Sequence, residues 1–499
     1  LKKTCFSLLL AFSASTSAFS QQFQVSYSPA VLAKPFTGHV LVYLSKENKE
    51  PKDADISALS PCFAVAVNNI KPGESVLLDE AAAAYPVKFS ELERGTYYAQ
   101  VVWDRNLGDR AIGTSAGNLY SPSQRVHFTH DDHAVFTLGA TKVVPAAADF
   151  NETDLVKELK VPSALLSKFH QQALTIDAAV VLPKEYLTEP NRTFPVLFEV
   201  SGYGGTARQA ATRNQWGTTI DGTPVIKVFL DGKCPLGHSV YANSANNGPW
   251  GNALVSEFIP ALEKRFRCNG ARLLWGHSSG GWAVLWLQTH YPKVFAACWS
   301  SSPDPVDFRS FINVNLYQDR NMFYAQDSSL RSMATVAGFF PWLAMKDMYQ
   351  AEHVVYRGEQ LHSFNAVFSA KGHDGLPQEI CDSRTGVVDS TVFQHWKSYD
   401  ISRYLATNWE TLRADLDGKV RVSVGKFDNF YLNRAITLLE ARLKEQHAAV
   451  QFAYYPADHF TLGTAEYIKE GYAFLNQQYL HWLAKQPATG KTSRARPRN

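Results

Sequence analysis

The stretch Leu273-Leu274-Trp275-Gly276-His277-Ser278-Ser279-Gly280-Gly281 constrains this chain more than any other. An apolar run ends in a serine bracketed by glycines, and the residues from about Gly281 to His290 then read as a helix. A strand that turns so sharply into a helix leaves no room for side chains beside its central residue, so glycines flank Ser278. The turn lifts the serine hydroxyl out of the sheet, and the helix starting there aims its N-terminal amides at negative charge developing nearby. An ordinary Gly/Ser turn is the bland alternative. The strand before and the helix after favour a nucleophile at Ser278; Ser279 is in the wrong register for that role.

A serine hydroxyl needs a base to take its proton, and the base needs a carboxylate to orient it. With this kind of elbow the chain order is serine, acid, histidine. His459, in Pro456-Ala457-Asp458-His459-Phe460, follows the last predicted strand and is the expected base. His373, in Gly372-His373-Asp374-Gly375, is its rival but falls in irregular sequence. Asp428 stands just past the strand Val420 to Val424, where the orienting acid belongs, with Asp304 as second choice. Two backbone N–H groups must hold the oxyanion. They are expected from Ser279 and from Tyr203, in the glycine-rich Ser201-Gly202-Tyr203-Gly204-Gly205 after the strand at Pro195 to Val200. Asn246 and Trp250, in the stretch Asn243 to Gly251, are expected to line the substrate pocket, with plain capping of the next helix as the alternative.

Two patterns divide the chain. From Gln21 to about Val144, short β-type runs alternate with turns, as at Phe23 to Tyr27, His39 to Leu44, Phe63 to Val67, Ser75 to Leu78, Thr96 to Trp103, Arg125 to Phe128 and Val135 to Leu138. That spacing predicts an all-β, sandwich-like domain over 21–145. From about 150 to 485 strands alternate with helices, which predicts an α/β domain with a mostly parallel sheet. Strands are expected at Ala173 to Leu182, Pro195 to Val200, Val225 to Leu230, Arg272 to Trp275, Val420 to Val424 and Val450 to Tyr455. Helices are expected at Asn252 to Phe266, Leu432 to Gln446 and Ala465 to Leu483. Irregular, aromatic-rich sequence over about 307–416 reads as an insertion. Its Phe339, Phe340 and Trp342 are expected to pack the insertion onto the domain, a lid over an acyl group being the alternative.

At 499 residues and 45% hydrophobic content the chain can bury a large core. Its net charge of +3 includes Lys2 and Lys3, and further basic residues crowd the Pro/Gly/Ser-rich tail 486–499, which is expected to be disordered. Nothing points to nucleic acid. Residues 1–20 run from Lys2-Lys3 through a short apolar stretch to Ala18-Phe19-Ser20, the order of a secretory signal peptide, so a secreted or periplasmic protein is expected. No later run approaches the roughly 18 to 20 apolar residues of a membrane span. Cys62, Cys234, Cys268, Cys298 and Cys381 are an odd set, widely spaced, with room for one or two disulfides and no CxxC metal pair.

With these motifs in view, the chain from about Ala173 to Leu483 resembles the putative-esterase family of α/β-hydrolases. That family includes esterase D (S-formylglutathione hydrolase), feruloyl esterases, enterochelin esterase and mycolyltransferases. The resemblance is carried by Phe194-Pro195-Val196-Leu197-Phe198 leading to Ser201-Gly202-Tyr203-Gly204-Gly205, by Gly276-His277-Ser278-Ser279-Gly280-Gly281, by Gly425 with Asp428, and by His459. It implies an α/β-hydrolase fold and a serine carboxylic-ester hydrolase acting through an acyl-enzyme. No metal or organic cofactor is implied, and the substrate is a small or sugar-linked ester. The β-domain ahead of the hydrolase resembles the enterochelin esterase arrangement, while the long insertion departs from compact members. Acyl transfer or peptide cleavage at the same site, and a binding protein on a hydrolase scaffold, stay open, as does oligomeric state.

Overall fold

The computed structural model describes residues 21–129, 134–214 and 216–486, so the leader-like segment and nearly all of the basic tail lie outside the described residues. The chain forms two compact units. Of the described residues, the first comprises those of 21–54, Ser60–Arg105 and Asn118–Val144; the second comprises Asp55–Leu59, Asn106–Gly117 and those of 145–486. The continuous division expected near residue 145 therefore misses two excursions, 55–59 and 106–117, that belong to the second unit.

In the first unit a three-stranded sheet of Val76–Leu78, Gln22–Tyr27 and Val135–Ala140 and a seven-stranded sheet centred on Phe36–Ser45 and Gly95–Asp104 share one core. The strands alternate inward apolar and outward polar residues, as a sheet with one wet face requires. Phe63 stacks on Phe89 at 3.7 Å, and the Trp103 ring meets Tyr27 and Phe36 edge-on. The all-β reading of this region holds.

The second unit is built on an eight-stranded sheet: β1 (Val156–Pro162), β2 (Thr175–Val181), β3 (Phe194–Val200), β4 (Ile226–Leu230), β5 (Cys268–His277), β6 (Ala297–Ser301), β7 (Val420–Gly425) and β8 (Gln451–Tyr455). Their order is β1-β2-β4-β3-β5-β6-β7-β8; β2 pairs antiparallel with both β1 and β4, and every other pairing is parallel. This is the α/β-hydrolase arrangement. β1 escaped the sequence reading because its residues Lys157, Glu158 and Lys160 break any apolar run, as suits an edge strand. The helix expected at 252–266 forms with a π turn at Leu254–Phe258. Pro260, just beyond, has no N–H to give the preceding turn, and the wider turn accommodates its ring.

Helices cover both faces: α1 (Ser279–His290), α2 (Met345–Val355), α3 (Gln360–Phe368), α4 (Ile401–Leu416), α5 (Leu432–Glu445) and α6 (Ala465–Ala484). α1 is buried almost throughout. The stretch read as irregular holds a hairpin (Ser332–Val336 with Phe340–Ala344) and ordered helices, of which α4 packs beside α1 and α5 as the crossover from β6 to β7. Among the described residues Cys62, Cys234, Cys268, Cys298 and Cys381 are all free thiols, so the room the sequence left for one or two disulfides is not used. Burial pushes the Cys234 and Cys268 thiols up to about 12.

On β6, Trp299 is fully buried, and a Cβ on Gly471 of α6 would collide with its ring. Glycine to alanine inside a helix ordinarily stabilises by about 1 kcal/mol. Here overpacking reverses the sign: Gly471→Ala is expected to lower the free energy of unfolding in urea by about 1–3 kcal/mol, and unchanged or higher stability would contradict this packing.

Candidate active site

The parallel pairing of β3 with β5 sets Val200 opposite Gly276, so the loops after these two strands are neighbours. β6, β7 and β8 continue the row, which gathers residues 201–205, 278–279, 302–306, 426–430 and 456–460 at the carboxyl end of the sheet, where open α/β sheets bind ligands.

Ser278 lies between β5 and α1 with φ 59° and ψ −127°, a region costly for a residue with a side chain. Its neighbours explain how it is held. A Cβ on Gly276 would collide with Gly280, and one on Gly280 would collide with the Val200 carbonyl. Any larger residue at either position would push the helix off the sheet. Ser279 opens α1, so the helix provides no acceptor for its N–H. Its hydroxyl donates to Asp304 Oδ2 at 2.6 Å.

Asp428 and His459 meet on the loops after β7 and β8. His459 Nδ1 lies 2.9 Å from Asp428 Oδ2, and the carboxylate side chain is fully buried. The other carboxylate oxygen accepts from the Phe430 and Leu432 N–H groups at 3.0 and 3.3 Å, fixing its plane. Because an ionised carboxylate only accepts, it places the imidazole proton on Nδ1 and leaves the Nε2 lone pair available. Asn429 holds the same loop pair from the side: its Oδ1 accepts from the His459 N–H, and its Nδ2 donates to the Thr335 carbonyl of the insertion hairpin.

Ser278, His459, Gly202 and Tyr203 line one cavity of about 430 Å³. A Cβ on Gly202 would stand 3.3 Å from Ser278 Cβ and 3.9 Å from its Oγ, so the glycine-rich loop runs directly beside the serine. That loop is anchored twice. The His238 ring bonds the Ser201 carbonyl at 2.9 Å and accepts from the Val240 N–H at 3.0 Å, so Nε2 carries its proton. Burial pushes His238 down to about 4 and His277, beside His459, down to about 3, so both stay neutral. At the far end of Tyr203, the hydroxyl accepts from Arg110 at 2.6 Å and is bonded to Glu359, while the Arg110 guanidinium lies 4.3 Å above the ring.

Asn246 and Trp250 do not line this cavity. Asn246 is buried and donates to the Ala366 and Ser369 carbonyls, and Trp250 packs in the core edge-on to Tyr241. The stretch 243–251 thus anchors the C-terminal end of α3 through the Asn246 Nδ2 group. His373 is exposed and likewise absent from the cavity wall. Asp304 lines the cavity but bonds Ser279 rather than the histidine. Arg110, Glu359 and Asn429 were not anticipated; only the last, adjacent to Asp428, could have been suspected from spacing.

Residues 173–362 match the family model described as putative esterase. Solved structures similar to the chain include a ferulic acid esterase (15% identity, TM-score 0.39, covering 65% of this chain and 97% of that one). They also include a fluorophosphonate-binding serine hydrolase from Staphylococcus aureus (13%, 0.40, 66% and 98%) and an S-formylglutathione hydrolase from Agrobacterium tumefaciens (15%, 0.38, 68% and 98%). No curated protein matches the sequence.

Burial pushes Asp304 up to about 6 from an ordinary 3.8, against the lowering effect of its bond from Ser279. Between these two values the folded chain keeps a proton that the unfolded chain releases, so stability falls as pH rises through about 4 to 6. This one group accounts for up to about 3 kcal/mol. Asp304→Asn is expected to remove that share of the slope, measured as the wild-type-minus-variant difference in urea unfolding across pH 4–7; parallel curves would contradict it.

Proposed function

We propose that the chain is a serine esterase that cleaves a carboxylic ester through an acyl-enzyme. The observation that carries this reading is the buried Asp428–His459 hydrogen bond opening onto the same cavity as a serine held at positive φ. In this reading Ser278 Oγ attacks the ester carbonyl carbon while His459 Nε2 takes its proton. The carbonyl oxygen becomes an oxyanion facing the Tyr203 and Ser279 N–H groups. Collapse of the intermediate expels the alcohol, which receives the proton from His459, and leaves the acyl group on Ser278. Water, deprotonated by His459, attacks that acyl group; its collapse releases the acid and restores the serine.

Asp428 stays ionised throughout and stabilises the imidazolium that forms twice per turnover. Export by way of the leader-like residues 1–20 belongs to the same reading. Among the described residues no helix is long and apolar enough to cross a membrane.

Nitrophenyl butyrate is expected to be hydrolysed by the wild type, with turnover reduced by several orders of magnitude in Ser278→Ala and by about 10⁴-fold in Asp428→Asn. A serine-directed phosphonate should label Ser278 and no other residue. Turnover that survives in Ser278→Ala would sink the proposal.

The Tyr203 amide makes its contact only with the oxyanion, so loosening its anchor acts on the transition state. Arg110→Ala is expected to lower kcat by about 10- to 100-fold with KM little changed, against a loss of about 10²–10³-fold for a missing donor. An equal rise in KM would instead mean that Arg110 shapes substrate binding.

A further inference from the structure

The insertion hairpin exposes four consecutive apolar side chains, Phe339, Phe340, Pro341 and Trp342. Phe339, Phe340 and Trp342 are 63%, 65% and 55% exposed, so they do not pack the insertion onto the domain as the sequence predicted. Val336 on the facing strand, Phe427 on the loop after β7 and Phe460 on the loop after β8 are also largely exposed. These residues form one collar. A Cβ on Gly338 at the hairpin tip would stand 3.1 Å from Phe427 Cβ, and Thr335 and Asn429 exchange backbone and side-chain hydrogen bonds of 2.8 Å.

Scattered exposed hydrophobics are ordinary, but a contiguous run on a fixed hairpin marks a surface that something apolar covers. Trp342 and Phe460 belong both to the collar and to the wall of the cavity that holds Ser278, so the collar borders the cavity. A protein seated there would close the entrance to the serine. A sugar polymer needs hydroxyl partners beside each stacking ring, and Val336, Phe339, Phe340 and Pro341 have no polar side-chain atoms. Inside the mouth the wall continues apolar through Ile312, Met333, Leu343, Met348 and Phe364.

On the reading of Ser278 as an esterase nucleophile, we propose that the collar seats on a lipid surface and that the substrate is an acyl ester of an amphiphile held in that surface. The acyl chain then passes from one apolar environment to another without crossing water, and the surface supplies the apolar cover that the collar lacks.

The test separates docking from chemistry. Ser278→Ala protein is expected to cosediment with phosphatidylcholine vesicles, and Ser278→Ala carrying Phe339→Asp and Phe340→Asp is expected to stay in the supernatant. With Ser278 intact, the Phe339→Asp/Phe340→Asp variant should hydrolyse monomeric nitrophenyl butyrate within twofold of wild type, yet lose tenfold or more on an emulsified triacylglycerol. The butyrate rate also shows that the variant is folded. Failure of Ser278→Ala to bind vesicles overturns the proposal, as does retention on insoluble polysaccharide or self-association in its place, or equal rates of the two enzymes on the emulsion. Vesicle binding without any ester turnover would overturn the esterase reading and leave the lipid-docking surface standing.

Discussion

The close approach of α1 to β3 is the constraint on which the rest of the site depends. Gly280 lies so near the Val200 carbonyl that no side chain fits between helix and sheet. That contact forces the chain to leave β5 in one residue, and the one residue is Ser278, at positive φ. Strain of this kind, of order 1–3 kcal/mol, persists because the surroundings over-determine it. The Ser278 N–H bonds the Ser301 carbonyl of β6, and the Ser278 carbonyl accepts from Trp282 within α1. The serine is therefore fixed by backbone from both sides, and its hydroxyl is the only part left to face the cavity.

Around this fixed point the other groups are held by hydrogen bonds that leave one function free each. Asp428 spends one oxygen on two backbone N–H groups and presents the other to His459. His459 spends Nδ1 on that oxygen and keeps Nε2. His238 spends both nitrogens on backbone, which is why it serves as an anchor while His459 can move a proton. The difference between the two histidines lies in their partners, since both are buried.

Much of this was legible in the sequence because the parts are local. The elbow, the strand before it and the helix after it fall within a few residues, and Asp428 and His459 each follow a strand marked by β-branched or aromatic residues, Val420, Val422 and Val424 in one and Phe452, Tyr454 and Tyr455 in the other. The strands Phe194–Val200 and Ile226–Leu230 of the parallel core read correctly because they are short, mostly apolar and buried on both faces. What was not legible depends on distant chain. Arg110 meets Tyr203 across 93 positions, and the hairpin at 332–344 is disguised by apolar residues that point outward, so periodicity suggests a packed element where an exposed one stands. Asn246 and Trp250 looked like pocket residues because they follow the sheet's carboxyl edge, but the backbone of α3 and of the turn after it claims Asn246.

The Arg110 contact also says what the excursion 106–117 does. It leaves the first unit between the strands Gly95–Asp104 and Leu119–Tyr120 and belongs to the second. Arg110 there neutralises Glu359 at 3.7 Å while donating to Tyr203, so three half-buried polar groups satisfy one another. Such a cluster is stable only when complete, because each member left alone is an unpaired half-buried donor or charge. Gly358 tightens it further: its carbonyl accepts from Arg110 at 3.3 Å, and a Cβ at that position would collide with the Arg110 carbonyl. The loop beside Ser278 is thus held not by its own glycines, which give it freedom, but by a charge pair assembled from two remote segments, which takes that freedom away.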